Sequence, residues 1–375
     1  MLFRELKKDT NMYVDKTKYI LKLIFDTNYR LFHLSRPPRF GKSLFLDTIE
    51  TFFNGDDKIF KNTYAQNKVN YRKFGPVLKF DFKNLYKAIG SSLNYNIIST
   101  VNFYASKFKI KLINNKNFIE VFSDLILKIR KNYKMNASIL IDNSDFPIIE
   151  AYTKDNSFLS LNLGIINKFY SFLYDLNSTN QIEYVFSVST FNCIDYSLFS
   201  GEKSFIDISL LKGMSSVCGF TKKEFDKYFL NILNKNYFTS SNKGNFDKFE
   251  DLIKFIEDYY GGYSWDGQTE VFNPGQISEI INNNNFENLK CQDILNKFIY
   301  QISKGKQKIL SNLNKYKLIK MKTYNINIEN PKLLYVLLQA GILSVGNIIY
   351  NNKIFDLRIT NRSFEDDLKI LIENS

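Results

Sequence analysis

Apolar positions along the chain alternate between two periods. Ile20, Leu21, Leu23 and Ile24 fall at helical spacing within residues 18–26, and helical spacing recurs over 43–53, near 94–107, near 117–132 and near 161–176. Between these lie short apolar runs: residues 30–35, "PVLKFDF" at 76–82, "ASILIDNSD" at 137–145 and "EYVFSVS" at 183–189. Runs this short, bounded by turn residues, read as buried strands. Strands alternating with helices predict an α/β fold, a parallel sheet with helices on both faces. From Gly219 the texture changes. In "GFTKKEF", Thr221 is a candidate N-cap and Glu224 its N3 partner, a capping box. Helical patterns then continue to about residue 304, with the asparagine run 282–285 as a loop. Near the end, "ENPKLLYVLLQAGILSV" predicts a helix stopped by Gly341 and then a strand, and "NIIYNNKIFDLRI" predicts a hairpin around Asn351 and Asn352. Helix, strand and hairpin in that order suggest a winged-helix-like piece.

Composition narrows the picture. With 375 residues, 44% of them hydrophobic and 24% charged, the chain can build more than one core of an ordinary globular kind. The net charge of +13 admits nucleic acid or another anionic partner, but the lysines are dispersed and no block of like charge appears. Cys193, Cys218 and Cys291 are far apart and odd in number, so a disulfide framework or zinc knuckle is not indicated. The single histidine, His33, lies inside an apolar strand, where a core position is expected; a His-rich metal site and a Ser-His-Asp triad are thereby disfavoured. The first residues lack an apolar signal-type region and no run of about 18 apolar residues occurs, so an intracellular, cytoplasmic protein with no membrane span is expected.

The chemistry concentrates in "LFHLSRPPRFGKSLF", residues 31–45. A strand, a tight loop and a helix beginning at Lys-Ser is the layout of a phosphate loop. Gly41 would let the backbone approach a phosphate, Lys42 would reach the β- and γ-phosphates, and the Ser43 hydroxyl would ligate Mg²⁺. Backbone amides from Phe40 to Leu44 would face the anion at the helix N-terminus. The consensus fails at its first glycine, where Arg36 stands, and Pro37 and Pro38 stiffen the loop. Taken alone, Gly-Lys-Ser also fits a helix start that carries the tripeptide by chance. A second requirement is a carboxylate at the end of a neighbouring strand to hold Mg²⁺; "SILIDNSD" supplies Asp142, which could equally just end a strand. Asn143 follows where a hydrolytic enzyme commonly has a Glu, and an amide cannot take a proton at neutral pH. Asp145, two residues on, is the candidate catalytic substitute.

With these stretches in view, the chain resembles the AAA-ATPase-like family, whose members often carry a C-terminal PD-(D/E)XK nuclease-like domain. "YVDKTKYILKLI" is similar to the family's opening helix, "LSRPPRFGKSLFLDTIETFFNG" to its loop and helix, "FGPVLKFDF" to its second strand and "LIDNSDFP" to its acidic strand. "VCGFTKKEF", "YYGGYSWDGQTEVFNP" and "DLRITNRSFEDDL" resemble later landmarks. The resemblance implies that Arg36 is the family's own form of the loop and that Ser189, in "FSVST", is a retained polar sensor near the γ-phosphate. It also marks losses: Asn143 replaces the Glu, and Phe186, Ser187 and Thr190 replace other sensor-strand residues. The sequence given stops soon after "LRITNRSF", where the nuclease-like domain would begin, so no nuclease role is carried over.

The expected organisation is a P-loop NTPase-like core over 1–216, a helical lid-like region over 217–304 and a winged-helix-like part over 305–375. The expected ligands are ATP and Mg²⁺, held by Arg36, Arg39, Phe40, Gly41, Lys42, Ser43, Leu44 and Ser189, with Ser43 and Asp142 on the metal. Three functions fit these residues. The first is a nucleotide-dependent interaction module poor in hydrolysis, with a protein partner or a second copy as its counterpart. The second is a working Mg²⁺-dependent ATPase. The third is a nucleic-acid-binding protein using a basic surface. For "YYGGYSWDGQTEVFNP" a structural turn anchoring the helical region to the core is expected, with no chemical role assigned.

Overall fold

A computed structural model describes residues 3–8, 13–68, 74–87, 92–194, 199, 204–239, 246–283, 293–313, 318–320, 324–349 and 354–374. By its internal contacts the chain divides into two compact units. The first comprises Met1–Lys8, Asp15–Ser35 and Lys42–Ile208; the second comprises Asp9–Val14, Arg36–Gly41 and Ser209–Ser375. The regions expected as lid-like and winged-helix-like therefore fall in one unit, with residues 209–216 and two short N-terminal segments.

The first unit is built on five strands: β1 (Leu31–Ser35), β2 (Val77–Asp81), β3 (Ala137–Asp142), β4 (Ile182–Ser189) and β5 (Ile206–Asp207). They form one parallel sheet in the order β2-β3-β4-β1-β5. Its helices are α1 (Phe3–Lys8), α2 (Thr17–Phe25), α3 (Lys42–Phe53), α4 (Phe82–Lys87), α5 (Leu93–Lys107), α6 (Phe118–Tyr133), α7 (Phe146–Lys154) and α8 (Leu159–Ser178). Helices α1, α4 and α7 have no counterpart in the sequence expectation. Strand alternation sends successive side chains to opposite faces. In β4, Tyr184 and Phe186 meet Phe53 of α3, with ring centroids 5.8 and 6.1 Å apart, whereas Ser187 bonds Tyr170 of α8. The two helices thus cover opposite faces, and the expected doubly covered parallel sheet is present. Every residue of β1 and β3 is buried, which fits their unbroken apolar runs. In-register pairs bring Ser35 beside Ser189 and Asp81 beside Asp142, so the C-terminal ends of β1 to β4 lie along one edge of the sheet. Ligands of open parallel sheets bind outside such an edge.

The second unit contains an antiparallel pair, β6 (Phe220–Thr221) and β7 (Val271–Phe272), and an antiparallel three-stranded sheet of β8 (Leu318–Lys320), β9 (Leu343–Ile349) and β10 (Ile354–Ile359) in the order β8-β10-β9. Its helices are α9 (Lys222–Thr239), α10 (Phe249–Tyr260), α11 (Pro274–Asn283), α12 (Asp293–Ser303), α13 (Gln307–Leu310), α14 (Leu333–Gln339) and α15 (Arg362–Asn374). The capping box forms: the Thr221 amide donates to Glu224 Oε2 at 2.8 Å and the Glu224 amide donates back to Thr221 Oγ1 at 3.3 Å. A core of Phe225, Phe229, Leu233, Leu252, Ile256, Phe272 and Ile277 gathers α9, α10 and α11 around β7, with Phe225 stacked on Phe272 at 4.6 Å. Gly341, at φ +83°, ends α14 where a Cβ would stand 2.6 Å from Pro37 Cγ, so the turn requires glycine. Helix α14, β9 and β10 reproduce the expected helix–strand–hairpin order, while the hairpin turn at Asn351 and Asn352 lies outside the described residues, as does Cys291. Helix α11 takes in Asn282 and Asn283 of the asparagine run, and residues 284–285 lie outside the described residues. Cys193 and Cys218 are buried thiols. Among the described residues, no helix is long and apolar enough to cross a membrane.

Candidate functional site

Arg36–Gly41 continues directly from β1 and groups with the second unit. Arg36 has no exposed surface. Its guanidinium donates to Ser209 O at 3.0 Å and Met214 O at 2.9 Å and lies 4.0 Å from the Trp265 ring centroid. A buried guanidinium needs such partners, because its charge is out of water. The sequence reading gave Arg36 a phosphate; its side chain instead binds carbonyls and an indole of the second unit. Arg39, at φ +64°, forms an ion pair with Glu279 at 2.5 Å and donates to Gly275 O at 3.1 Å. Asn273 Nδ2 donates to Pro38 O at 3.2 Å, and the Gly275 amide to Arg39 O at 3.1 Å. Phe40 is buried edge-on to Tyr263 and Trp265, with centroids 4.9 and 5.2 Å away. Residues of "YYGGYSWDGQTEVFNP" therefore hold the segment preceding Gly41. The turn signals in that stretch were legible; its hold on Arg36–Phe40 was not, because nothing local links the two segments.

Gly41 has φ +86°, and a Cβ added there would meet no heavy atom within 4 Å. Glycine is required by the backbone, and the space in front of it is open. The first unit then supplies α3, whose first amides, those of Lys42, Ser43 and Leu44, have no acceptor within the helix. Leu44 is half-buried and its carbonyl accepts the Thr48 hydroxyl at 2.8 Å. Lys42 is buried, with Nζ 3.5 Å from Thr190 Oγ1, the limit of a hydrogen bond. The exposed Ser43 hydroxyl bonds Asp142.

Asp142 ends β3 in a buried position, and its Oδ1 has no hydrogen-bond partner. Burial pushes its carboxyl above the usual range, and the Asp81 charge adds to this; the Ser43 hydrogen bond, then Lys42 and Lys79, pull it back. Asp81 was not singled out from the sequence, although "VLKFD" ends on an acid as "ILID" does. Asn143 takes φ +55°, a left-handed conformation that asparagine tolerates, and its Nδ2 donates to Asp81 Oδ1 at 3.0 Å. Asp145 is buried and its Oδ2 accepts the amides of Thr190 at 3.1 Å and Phe191 at 2.8 Å. Burial pushes this carboxyl up as well, against the pull of the Phe191 amide and of Lys42. Ser189 has no exposed surface: its hydroxyl donates to Phe191 O at 2.7 Å and lies 3.1 Å from His33 Nε2. Thr190, the next residue, is the one beside Lys42.

These residues fit a hard divalent cation in one respect. Ser43 and Asp142 offer oxygen donors, and the buried Asp142 Oδ1 is unpartnered. Among the described residues no cluster of three or more His, Cys, Asp or Glu could hold a metal.

Comparison with known proteins gives one family and several looser likenesses. The family model described as AAA-ATPase_like, "Predicted AAA-ATPase", matches residues 1–197. A curated relative, "Uncharacterized protein in vnfD 5'region" of Azotobacter chroococcum mcd 1, is 29% identical over 266 residues, which is 71% of this chain and 47% of that protein. The chain thus spans about half the length of the curated relative it matches. Among solved structures, Cdc6p from Pyrobaculum aerophilum aligns over 96% of this chain and 92% of its own at 13% identity and a TM-score of 0.32. The Aeropyrum pernix ORC1 protein solved in complex with DNA aligns over 95% and 90% at 8% identity and a TM-score of 0.32. The Aeropyrum pernix ORC2 protein (ADPNP-ADP complexes) aligns over 96% and 91% at 11% identity and a TM-score of 0.34. Likenesses this loose carry no argument about function.

Proposed function

The chain belongs to the AAA-ATPase-like family, and on that premise we propose that it binds ATP with Mg²⁺, hydrolyses it slowly, and works as a nucleotide-dependent interaction module. The observation that carries the reading is the set at the sheet edge: Lys42, Ser43 and an unpartnered Asp142 oxygen, with the amide of Asn143 where a base would act. The Lys42 ammonium and the first amides of α3 would bind the β- and γ-phosphates. Ser43 and Asp142 would hold Mg²⁺, which when bound offsets phosphate charge and orients the phosphate oxygens. Asn143 accepts no proton, and its side chain is already tied to Asp81. Asp145 is occupied by two backbone amides, which suits a positioning residue better than a base. Losing a general base costs about 10²–10⁴ in rate, whereas electrostatic binding of a triphosphate needs none.

Calorimetry with ATP–Mg²⁺ tests the binding. Wild type is expected to give a saturable heat that Lys42→Ala abolishes; no heat from either protein ends the nucleotide reading. A steady-state phosphate-release assay tests the slow turnover. Fast release lost in Asp142→Ala would make the protein a working ATPase instead.

A further inference from the structure

Behind the phosphate-facing residues of the first unit lies a buried polar ring that ATP binding alone does not require. His33 Nδ1 is 3.1 Å from Ser187 Oγ, and His33 Nε2 is 3.1 Å from both Ser35 Oγ and Ser189 Oγ. Tyr170 Oη is 2.5 Å from Ser187 Oγ and also bonds the Ser144 hydroxyl. His33, Ser35, Ser187, Ser189 and Tyr170 are 0–1% exposed and Ser144 is 4% exposed, so bulk water does not complete these bonds.

With the Ser189–His33 contact taken as a hydrogen bond, the proton inventory gives the links a direction. Ser189 spends its proton on the Phe191 carbonyl, which can only accept, so Ser189 must accept from His33. His33 therefore carries its proton on Nε2, with Ser35 Oγ at the same distance sharing it. A neutral imidazole has one N–H, so Nδ1 accepts from Ser187. Ser187, its proton spent, accepts from Tyr170, and Tyr170 accepts from Ser144. Burial drives the His33 pKa down to about 3, which keeps the ring neutral at ordinary pH. The chain of bonds then closes through the backbone. Ser144 precedes Asp145, Asp145 binds the amides of Thr190 and Phe191, and the Phe191 carbonyl receives Ser189.

We propose that His33 is a positioning residue for the nucleotide: its fixed Nε2–H tautomer directs a closed one-way ring of hydrogen bonds that sets Thr190 beside Lys42, so that phosphate at Lys42 is felt at the imidazole. The coupling rests on the ATP reading above; the ring itself does not. His33 and its three serine partners all lie on one face of the sheet, because His33 and Ser35 of β1 stand in register with Ser187 and Ser189 of β4.

Since His33 is the only histidine, ¹⁵N-detected NMR of the wild type reads its two ring nitrogens without overlap. Without nucleotide, Nε2 is expected protonated and Nδ1 accepting, unchanged from pH 8 to pH 5. Tyr170→Phe should shift Nδ1 and leave Nε2 in place, and should weaken ATP affinity about fivefold, the worth of one neutral hydrogen bond. ATP–Mg²⁺ should move both resonances of the wild type. An Nδ1–H tautomer, or an imidazole that titrates near pH 6.5, overturns the ring. ATP binding by calorimetry with an unmoved imidazole overturns the coupling alone. Absence of ATP binding overturns the functional reading and the coupling together, while the tautomer still decides the ring. A Tyr170→Phe protein that loses stability but keeps wild-type affinity and the same ATP-induced shift reduces His33 to a core residue.

Discussion

Asp145 offers the sharpest separation between a base and a brace. Its Oδ2 receives two amides, a half-buried one from Thr190 and a buried one from Phe191, although it stands at the N-cap of α7 without capping it. Replacing it by alanine leaves both amides without an acceptor. Each such orphan costs about 1–3 kcal/mol, so Asp145→Ala should lose roughly 4 kcal/mol. Asp145→Asn keeps an acceptor oxygen and should stay within about 1 kcal/mol of wild type. Urea unfolding followed by circular dichroism reads the difference: at a slope of about 3 kcal/mol/M, the alanine midpoint falls by about 1.3 M. The pH dependence has a definite sign. Burial raises the folded pKa above the unfolded value, so the folded state holds this proton longer. The stability it contributes is full below about pH 4 and is lost as pH rises through the raised folded pKa. Asp145→Asn lacks that loss and should gain on wild type between pH 4 and 7. An alanine variant as stable as the asparagine variant, or an asparagine variant whose standing against wild type does not change with pH, refutes the brace.

Other substitutions probe the remaining features. Asn143→Glu should raise steady-state phosphate release at least tenfold by restoring a base, while lowering the unfolding midpoint, since a left-handed glutamate costs about 1–2 kcal/mol and meets Asp81. Gly341→Ala places a Cβ 2.6 Å from Pro37 and should cost about 1–3 kcal/mol in chemical denaturation. Thr221→Ala removes the cap of α9 and should cost about 1 kcal/mol by the same measurement. Arg36→Lys keeps the charge but loses the fork to Ser209 and Met214 and the stacking on Trp265; about 2 kcal/mol should disappear from the thermal or urea transition.

What the sequence revealed and what it hid divide along a physical line. Strand, loop and helix around Lys42, the acidic end of β3, the capping box at Thr221 and the stop at Gly341 are local, written in spacing and turn chemistry within a dozen residues. A parallel sheet follows from those pieces, and so does the placing of Lys42, Ser43 and Asp142 at strand and helix ends; the order β2-β3-β4-β1-β5 does not, because spacing along the chain does not say which strands pair. The partners of Arg36, namely Ser209, Met214 and Trp265, were not legible, because they lie far along the chain and a charged residue beside a phosphate loop invites the simpler reading. Ser189 looked like a sensor by position, but its parity in β4 turns it to the α8 face with Ser187, while Thr190 stands beside Lys42. His33 was expected in the core and lies there; the serines around it became meaningful only once β1 and β4 were in register.

Trp265 is the chain's sole indole, and it lies against the Arg36 guanidinium, five residues before Gly41. Movement of that one cation changes the indole's surroundings, and the cation is covalently joined to the strand that leads into Lys42. The protein thus contains a native optical gauge. Titrations can follow its ultraviolet emission without a dye, and a shift in colour or brightness is the expected sign of any agent that displaces Arg36.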